Sequence, residues 1–203
     1  MKKRLLLIIS IFLIGINSVF ADDVVEYVNC IDGDTIKVKI NDEEKTIRLL
    51  AIDAPEDSPD RIDYYGKEAS EYTCNRIKKA KKIVLEYDQN SDKQDKYDRV
   101  LAWVFVDNKL LEEELVKRGY AKVAYLYGEY KYTERIKEQE TKAKENNLGI
   151  WNELEKEKYE AENIKDKELE AKIDEYADTE VVILLVLFLM FVFISSKTLR
   201  KKK

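Results

Sequence analysis

The chain reads as an α+β domain, a small barrel or sheet with helices, set between two apolar terminal runs. Three observations carry that reading. Short, alternating apolar segments come first. Longer segments of helical period are interleaved with them later. The stretch from Val24 to Trp151, about 130 residues, is enough to bury a workable core.

Taken in order, Ile36, Val38 and Ile40 alternate with Lys37 and Lys39, the pattern of a half-buried strand. Asn41-Asp42 is a turn signal. Thr46 to Ile52 reads as a second strand, stopped by Pro55. Tyr65 to Lys82 is helical, with Ala69, Tyr72, Ile77 and Ala80 roughly on one face. Ile83 to Tyr87 and Val100 to Val106 are strands. Leu110 to Arg118 is a helix stopped by Gly119, and Tyr132 to Asn147 is another, stopped near Gly149.

The termini carry different information. Lys2, Lys3 and Arg4 precede an apolar stretch that closes on small residues, so residues 1–21 read as a secretory signal cleaved near Ala21, with an uncleaved anchor as the alternative. Residues 22–152 form the globular domain. Residues 153–180 are a stalk, helical or disordered, with twelve acids against five lysines from Asn152 to Glu180. Val181 to Ile194 is an unbroken apolar run, about 21 Å long as a helix. With Ser195, Ser196 and a snorkelling Lys197 it reads as a single transmembrane helix over 181–196. The basic tail, 197–203, is expected on the cytoplasmic side, which places the domain outside, held to the cell membrane by one pass.

There are no histidines, which excludes a histidine base, a histidine-ligated metal and the usual nucleophilic triads. Cys30 and Cys74 suit an oxidising compartment, either as a disulfide or as two small apolar residues.

The acids are more informative. Ile31-Asp32-Gly33-Asp34-Thr35 places two carboxylates around a glycine at the start of a strand. The segment begins like an EF-hand loop, but Ile36 and Lys37 stand where a ligand and a glycine are required. A second acidic cluster, Asp53 and Glu56, follows Arg48 in RLLAIDAPE. If the two strands are hairpin partners, Asp34 and Asp53 converge, with Glu56 close by. Three acids together repel, and a hard divalent cation with oxygen ligands resolves that conflict. Arg48 points toward the same end of the barrel, and Arg99 begins a later strand. A cation, two guanidiniums and an unliganded carboxylate are the parts needed to hydrolyse a phosphodiester.

IDGDTIKV, RLLAIDAPE, YYGKEASEYT, DKYDRVLAWVF, LVKRGYAKVAYLY and LGIW, in that order, resemble the thermonuclease family from about Val24 to Trp151. The resemblance implies an OB-fold five-stranded β-barrel with three helices, and calcium-dependent hydrolysis of DNA and RNA to 3′-phosphate ends. It makes Asp34, Asp53 and the Ala54 carbonyl the calcium ligands, Glu56 the general base, and Arg48 and Arg99 the phosphate-binding arginines. Lys96, Tyr97, Tyr125 and Tyr127 fall at nucleotide contacts. Nothing calls for an obligate protein partner, so a monomer is expected.

Some features depart from the family pattern. Asp98 stands where a glycine is common, and Asp57, Asp60 and Asp63 crowd a shortened loop. The segment from Asp22 to Trp151 carries 29 acidic against 23 basic residues, so substrate affinity has to come from a local patch and the cation rather than global charge. Two other classes compete: a noncatalytic OB-fold binding single-stranded nucleic acid or protein, which predicts loss of the acids or arginines, and a membrane-tethered spacer, which leaves the site unexplained.

Overall fold

The computed structural model describes residues 22–200, and most side chains beyond Tyr176 fall outside that description. The chain divides into two units, one ending at Asn152 and one beginning at Glu153.

In the first unit, β1 (Asp23–Cys30), β2 (Thr35–Ile40) and β3 (Glu43–Leu49) form an antiparallel meander. β1 also pairs with β7 (Ile83–Glu86), and β7 with β8 (Val100–Val106). Parallel pairing of β3 with β8 closes the ring, giving a five-stranded barrel. On its inward face Ile36, Val38, Ile47, Leu85 and Val104 are fully buried. Full closure leaves no barrel strand with a free edge. The sheet continues at one side into β9 (Lys109–Leu110).

Around the barrel lie α1 (Gly66–Lys78), α2 (Leu111–Lys117) and α3 (Thr133–Glu145). Four short strands form two minor pairs: β4 (Ile52–Asp53) with β10 (Lys122–Val123), and β5 (Asp57–Ser58) with β6 (Arg61–Ile62).

The differences from the sequence reading have local causes. β1 escapes a pattern-based reading because its register shifts between Tyr27 and Asn29, and Val24 is exposed while Val25 is buried. A bulge breaks the two-residue period. The strand expected over 46–52 ends at Leu49, because Leu50 donates to Ala102 O and Ala51 takes a left-handed conformation at φ 60°. Asp53 therefore lies on β4, not on β3. The first helix ends at Lys78 rather than Lys82, since the amides of Lys81 and Lys82 donate to the Asp107 carboxylate. Gly119 and Gly149 both sit at positive φ, where their backbones meet closely and Ile150 N donates to Gly119 O at 2.8 Å.

The Cys30 and Cys74 sulfurs are bonded, joining β1 to α1 with Cα atoms 5.3 Å apart. Gly33 explains the small residue in IDGDT. A Cβ there would lie 2.7 Å from the Ala54 Cβ and 2.9 Å from the Ala69 Cβ, so only glycine lets the loop, β4 and α1 close together. Thr73 on α1 fastens the junction by donating to Gly33 O at 2.7 Å.

The second unit is one continuous helix, α4 (Glu153–Arg200), 48 residues long. The stalk and the apolar run are thus successive stretches of the same helix. Among the described residues no helix is long and apolar enough to cross a membrane. Most side chains of Val181–Ile194, on which the expected span depends, lie outside those residues, as do the expected signal segment 1–21 and Lys201–Lys203.

Candidate active site

At one end of the barrel the loops enclose a cleft of about 540 Å³. Its centre is set by the β2–β3 pairing, which puts Thr35 opposite Arg48 and brings Asp34 to the same end. Arg48 is almost fully buried. Its Nη1 donates to Leu49 O at 2.8 Å and its Nη2 to Ile52 O at 2.9 Å. The same Nη2 lies 2.9 Å from Asp34 Oδ2 and 3.7 Å from Asp53 Oδ1. The two carboxylates expected to converge thus do so on a guanidinium.

Asp34 is fixed on every side. Asp34 Oδ2 accepts the Ala54 amide at 2.8 Å, and Oδ1 accepts the Thr35 hydroxyl at 3.0 Å. The Asp32 carboxylate accepts the Asp34 amide at 3.0 Å, turning the loop. Burial pushes the Asp34 carboxyl up to about 6, against the lowering influence of Arg48, with Asp32 adding to the rise. Asp53 is more open, with Lys122 Nζ 3.0 Å from its Oδ2 and the Tyr125 hydroxyl 3.3 Å from its Oδ1.

Arg99 stands just before β8, the strand that pairs alongside Arg48 on β3. Asp95 grips it, taking Nε and Nη2 at 2.7 Å on Oδ2 and the Arg99 amide at 3.0 Å on Oδ1. Burial alone would raise the Asp95 carboxyl, but these donors hold it below the usual range. Asp98 adopts φ 60°, the left-handed conformation for which a glycine is favoured and which Asp tolerates better than most residues. Its amide and carbonyl bond to Asp95 O and Gln94 Nε2, so the turn carrying Arg99 keeps its form.

Glu56, Lys96, Tyr97, Tyr125 and Tyr127 also line the cleft. Glu56 is exposed, and its amide donates to Asp63, which Arg61 holds in turn. The three tyrosines are exposed at the rim, with Tyr127 the most open at 86%. Arg48 lies over the Tyr125 ring and Arg99 over the Tyr97 ring, each at 5.4 Å.

The cleft therefore brings together every site residue expected from sequence except Ala54, which is buried behind it and positions Asp34 through its amide. Sequence reasoning missed Asp95 and Lys122. Asp95 had a weak signal, four residues before an arginine in DKYDR, while Lys122 acts across a two-residue pairing that no local pattern announces.

The donor set suits a hard cation. Asp34 and Asp53 offer carboxylate oxygens, and Asp34 is buried with a second acid nearby, an environment that a cation relieves. Among the described residues no three Asp, Glu, Cys or His side chains gather closely enough to hold a metal ion alone. The expected ligand set holds only two acids, Asp34 and Asp53, and Glu56, expected as the unliganded base, lies on the exposed rim. Such a pair needs backbone oxygens and water to fill the six to eight positions calcium takes.

The profile described as Staphylococcal nuclease homologue matches residues 46–153. The chain belongs to this family. The match covers Arg48, Asp53, Glu56 and Arg99, and Asp34 lies just ahead of it. Over 128 residues the chain is 34% identical to the thermonuclease of Staphylococcus hyicus, covering 61% of this chain and 73% of that one. It is 42% identical over 124 residues to the SPbeta prophage-derived endonuclease YokF of Bacillus subtilis (strain 168), and 41% identical over 124 residues to endonuclease YncB of the same organism. Each alignment covers 60% of this chain, 41% of YokF and 58% of YncB. The barrel with its helices is the OB-like fold expected of this family.

Proposed function

We propose that the chain is a calcium-dependent nuclease that hydrolyses phosphodiester bonds of DNA and RNA and leaves 3′-phosphate ends. The observation that carries the reading is the convergence of Asp34 and Asp53 on Arg48, in a cleft whose other walls hold Arg99 and Glu56. Asp34 and Asp53 would hold the calcium ion. When bound, calcium supplies a Lewis acid that polarises the scissile phosphate.

The chain's own residues do the rest. Glu56 accepts a proton from the attacking water. Arg48 and Arg99 donate to phosphate oxygens and neutralise charge as phosphorus becomes five-coordinate. Water's oxygen bonds to phosphorus, and the bond to the 5′ oxygen breaks. Tyr97, Tyr125 and Tyr127 offer ring faces at the rim, where stacking tolerates any base. Lys96 adds a positive charge at the same edge.

A noncatalytic OB-fold needs none of this arrangement. Glu56→Gln separates the two readings. The variant should bind single-stranded DNA as the wild type does while its single-turnover cleavage falls by about two orders of magnitude or more, the range for a general base. Undiminished cleavage by Glu56→Gln removes that residue from the chemistry.

The reading includes a location: the outer face of the cell membrane, with the catalytic unit carried on α4. The support is in the sequence, where an apolar leader with a basic start precedes the domain and an apolar run with a basic end follows it. Protease added to intact cells should release soluble, active nuclease by cutting the stalk. A catalytic unit that survives intact until the cells are lysed reverses the orientation.

A further inference from the structure

A second cleft, about 590 Å³, lies between the start of α1 and the end of α2. Lys109, Lys117 and Arg118 line it, together with Tyr65 and Tyr120. None of the three cations has a carboxylate within ion-pair distance among the described residues, in contrast to Arg48 and Arg99 in the first cleft. The one acid on its wall, Glu114, is committed to Arg76 at 2.8 Å. The aromatic side is built: Tyr120 packs against Tyr65 and Tyr72 with ring centroids 5.8 and 5.6 Å apart, and Arg118 lies 4.6 Å over the Tyr72 ring.

The two clefts share a wall. Glu56 lines the first and Tyr65 the second. The segment between them folds back on itself, with Asp63 N donating to Glu56 O at 2.9 Å. Gly66, directly after Tyr65, packs so closely that a Cβ would stand 2.0 Å from that same carbonyl.

We infer that the Tyr65–Tyr120 cleft is a secondary contact site for the polynucleotide strand, holding phosphates that extend past Glu56 from the cleavage site. This rests on the nuclease reading and specifies its substrate as a polymer rather than a short fragment. Unpaired cations beside aromatic faces are the combination that tracks a single strand without reading its sequence. In a domain with more acids than bases, such a patch supplies the attraction that global charge does not.

The test compares the full-length chain with Lys109→Glu/Lys117→Glu, both exposed positions, leaving Arg118 and its Tyr72 contact in place. Substrates are a single-stranded DNA of about 20 nucleotides and a dinucleotide, with binding of the longer strand followed by anisotropy in chelator at several salt concentrations. Cleavage of the dinucleotide should be unchanged, which also reports an intact fold. Binding of the long strand should weaken, and the slope of log affinity against log salt should fall by about 1.4 for two lost phosphate contacts. An unchanged slope, or equal losses on both substrates, overturns the inference. If the wild type cleaves neither substrate, the nuclease reading falls, and the salt slope alone then decides whether this cleft contacts the strand.

Discussion

Arg48 and Arg99 carry the same charge but are held differently. Arg48 is buried, with part of its guanidinium bonded to Leu49 O, Ile52 O and Asp34 and the remaining N–H donors left for phosphate. Arg99 is half-buried and held along one edge by Asp95. That grip orients a planar fork toward the cleft without closing it off. A lysine cannot reproduce the arrangement, since it offers a point charge instead of paired donors and leaves Asp95 less completely matched. Arg99→Lys is expected to lower turnover at saturating substrate by about two to three orders of magnitude, the cost of removing one preorganised electrostatic stabiliser. Wild-type turnover in that variant takes Arg99 out of the mechanism.

Among the elements, α2 carries a group the proposed chemistry does not use. Glu112, in its first turn, is fully buried, and both carboxylate oxygens accept the Val104 amide of β8, at 3.0 and 3.3 Å. Burial pushes its carboxyl up to about 8, against lowering by the backbone amides and Arg48. The ordinary value is 4.5. Between these two values the folded state keeps a proton that the unfolded state has released. Stability is therefore full below the lower value and falls as pH rises through the upper one. Denaturant midpoints at pH 6 and pH 8 should drop in the wild type, and the drop should shrink in Glu112→Gln. An equal drop in both proteins assigns the pH dependence elsewhere. At this scale the sequence was readable where patterns are regular. The alternation of Ile36, Val38 and Ile40 gave β2, and Gly119 gave the end of α2. It was opaque where tertiary contacts redirect the backbone, as at Asp107 beyond α1, or where a bulge disturbs the period, as in β1. The disulfide between β1 and α1 was open from spacing alone. With the cysteines 44 positions apart, loop closure in the unfolded chain is worth about 4 kcal/mol.

For the whole molecule, the legible part of the site was its chemistry, and the hidden part was its support. Asp34, Arg48, Asp53, Glu56 and Arg99 stood out because acids and arginines recur at strand ends, and the closed barrel brings those ends to one cleft. Asp95 and Lys122, which hold Arg99 and Asp53, serve that cleft through distances no periodicity encodes. The barrel thus presents two carboxylates to one guanidinium, with acids in overall excess, while the substrate we propose is itself an anion. A cation held by Asp34 and Asp53 would reconcile these charges. Cleavage of DNA by the full-length chain in calcium, repeated with excess chelator and after calcium is restored, is the direct measurement. The account predicts cleavage that is lost in chelator and returns with calcium. Cleavage at the same rate in chelator contradicts it.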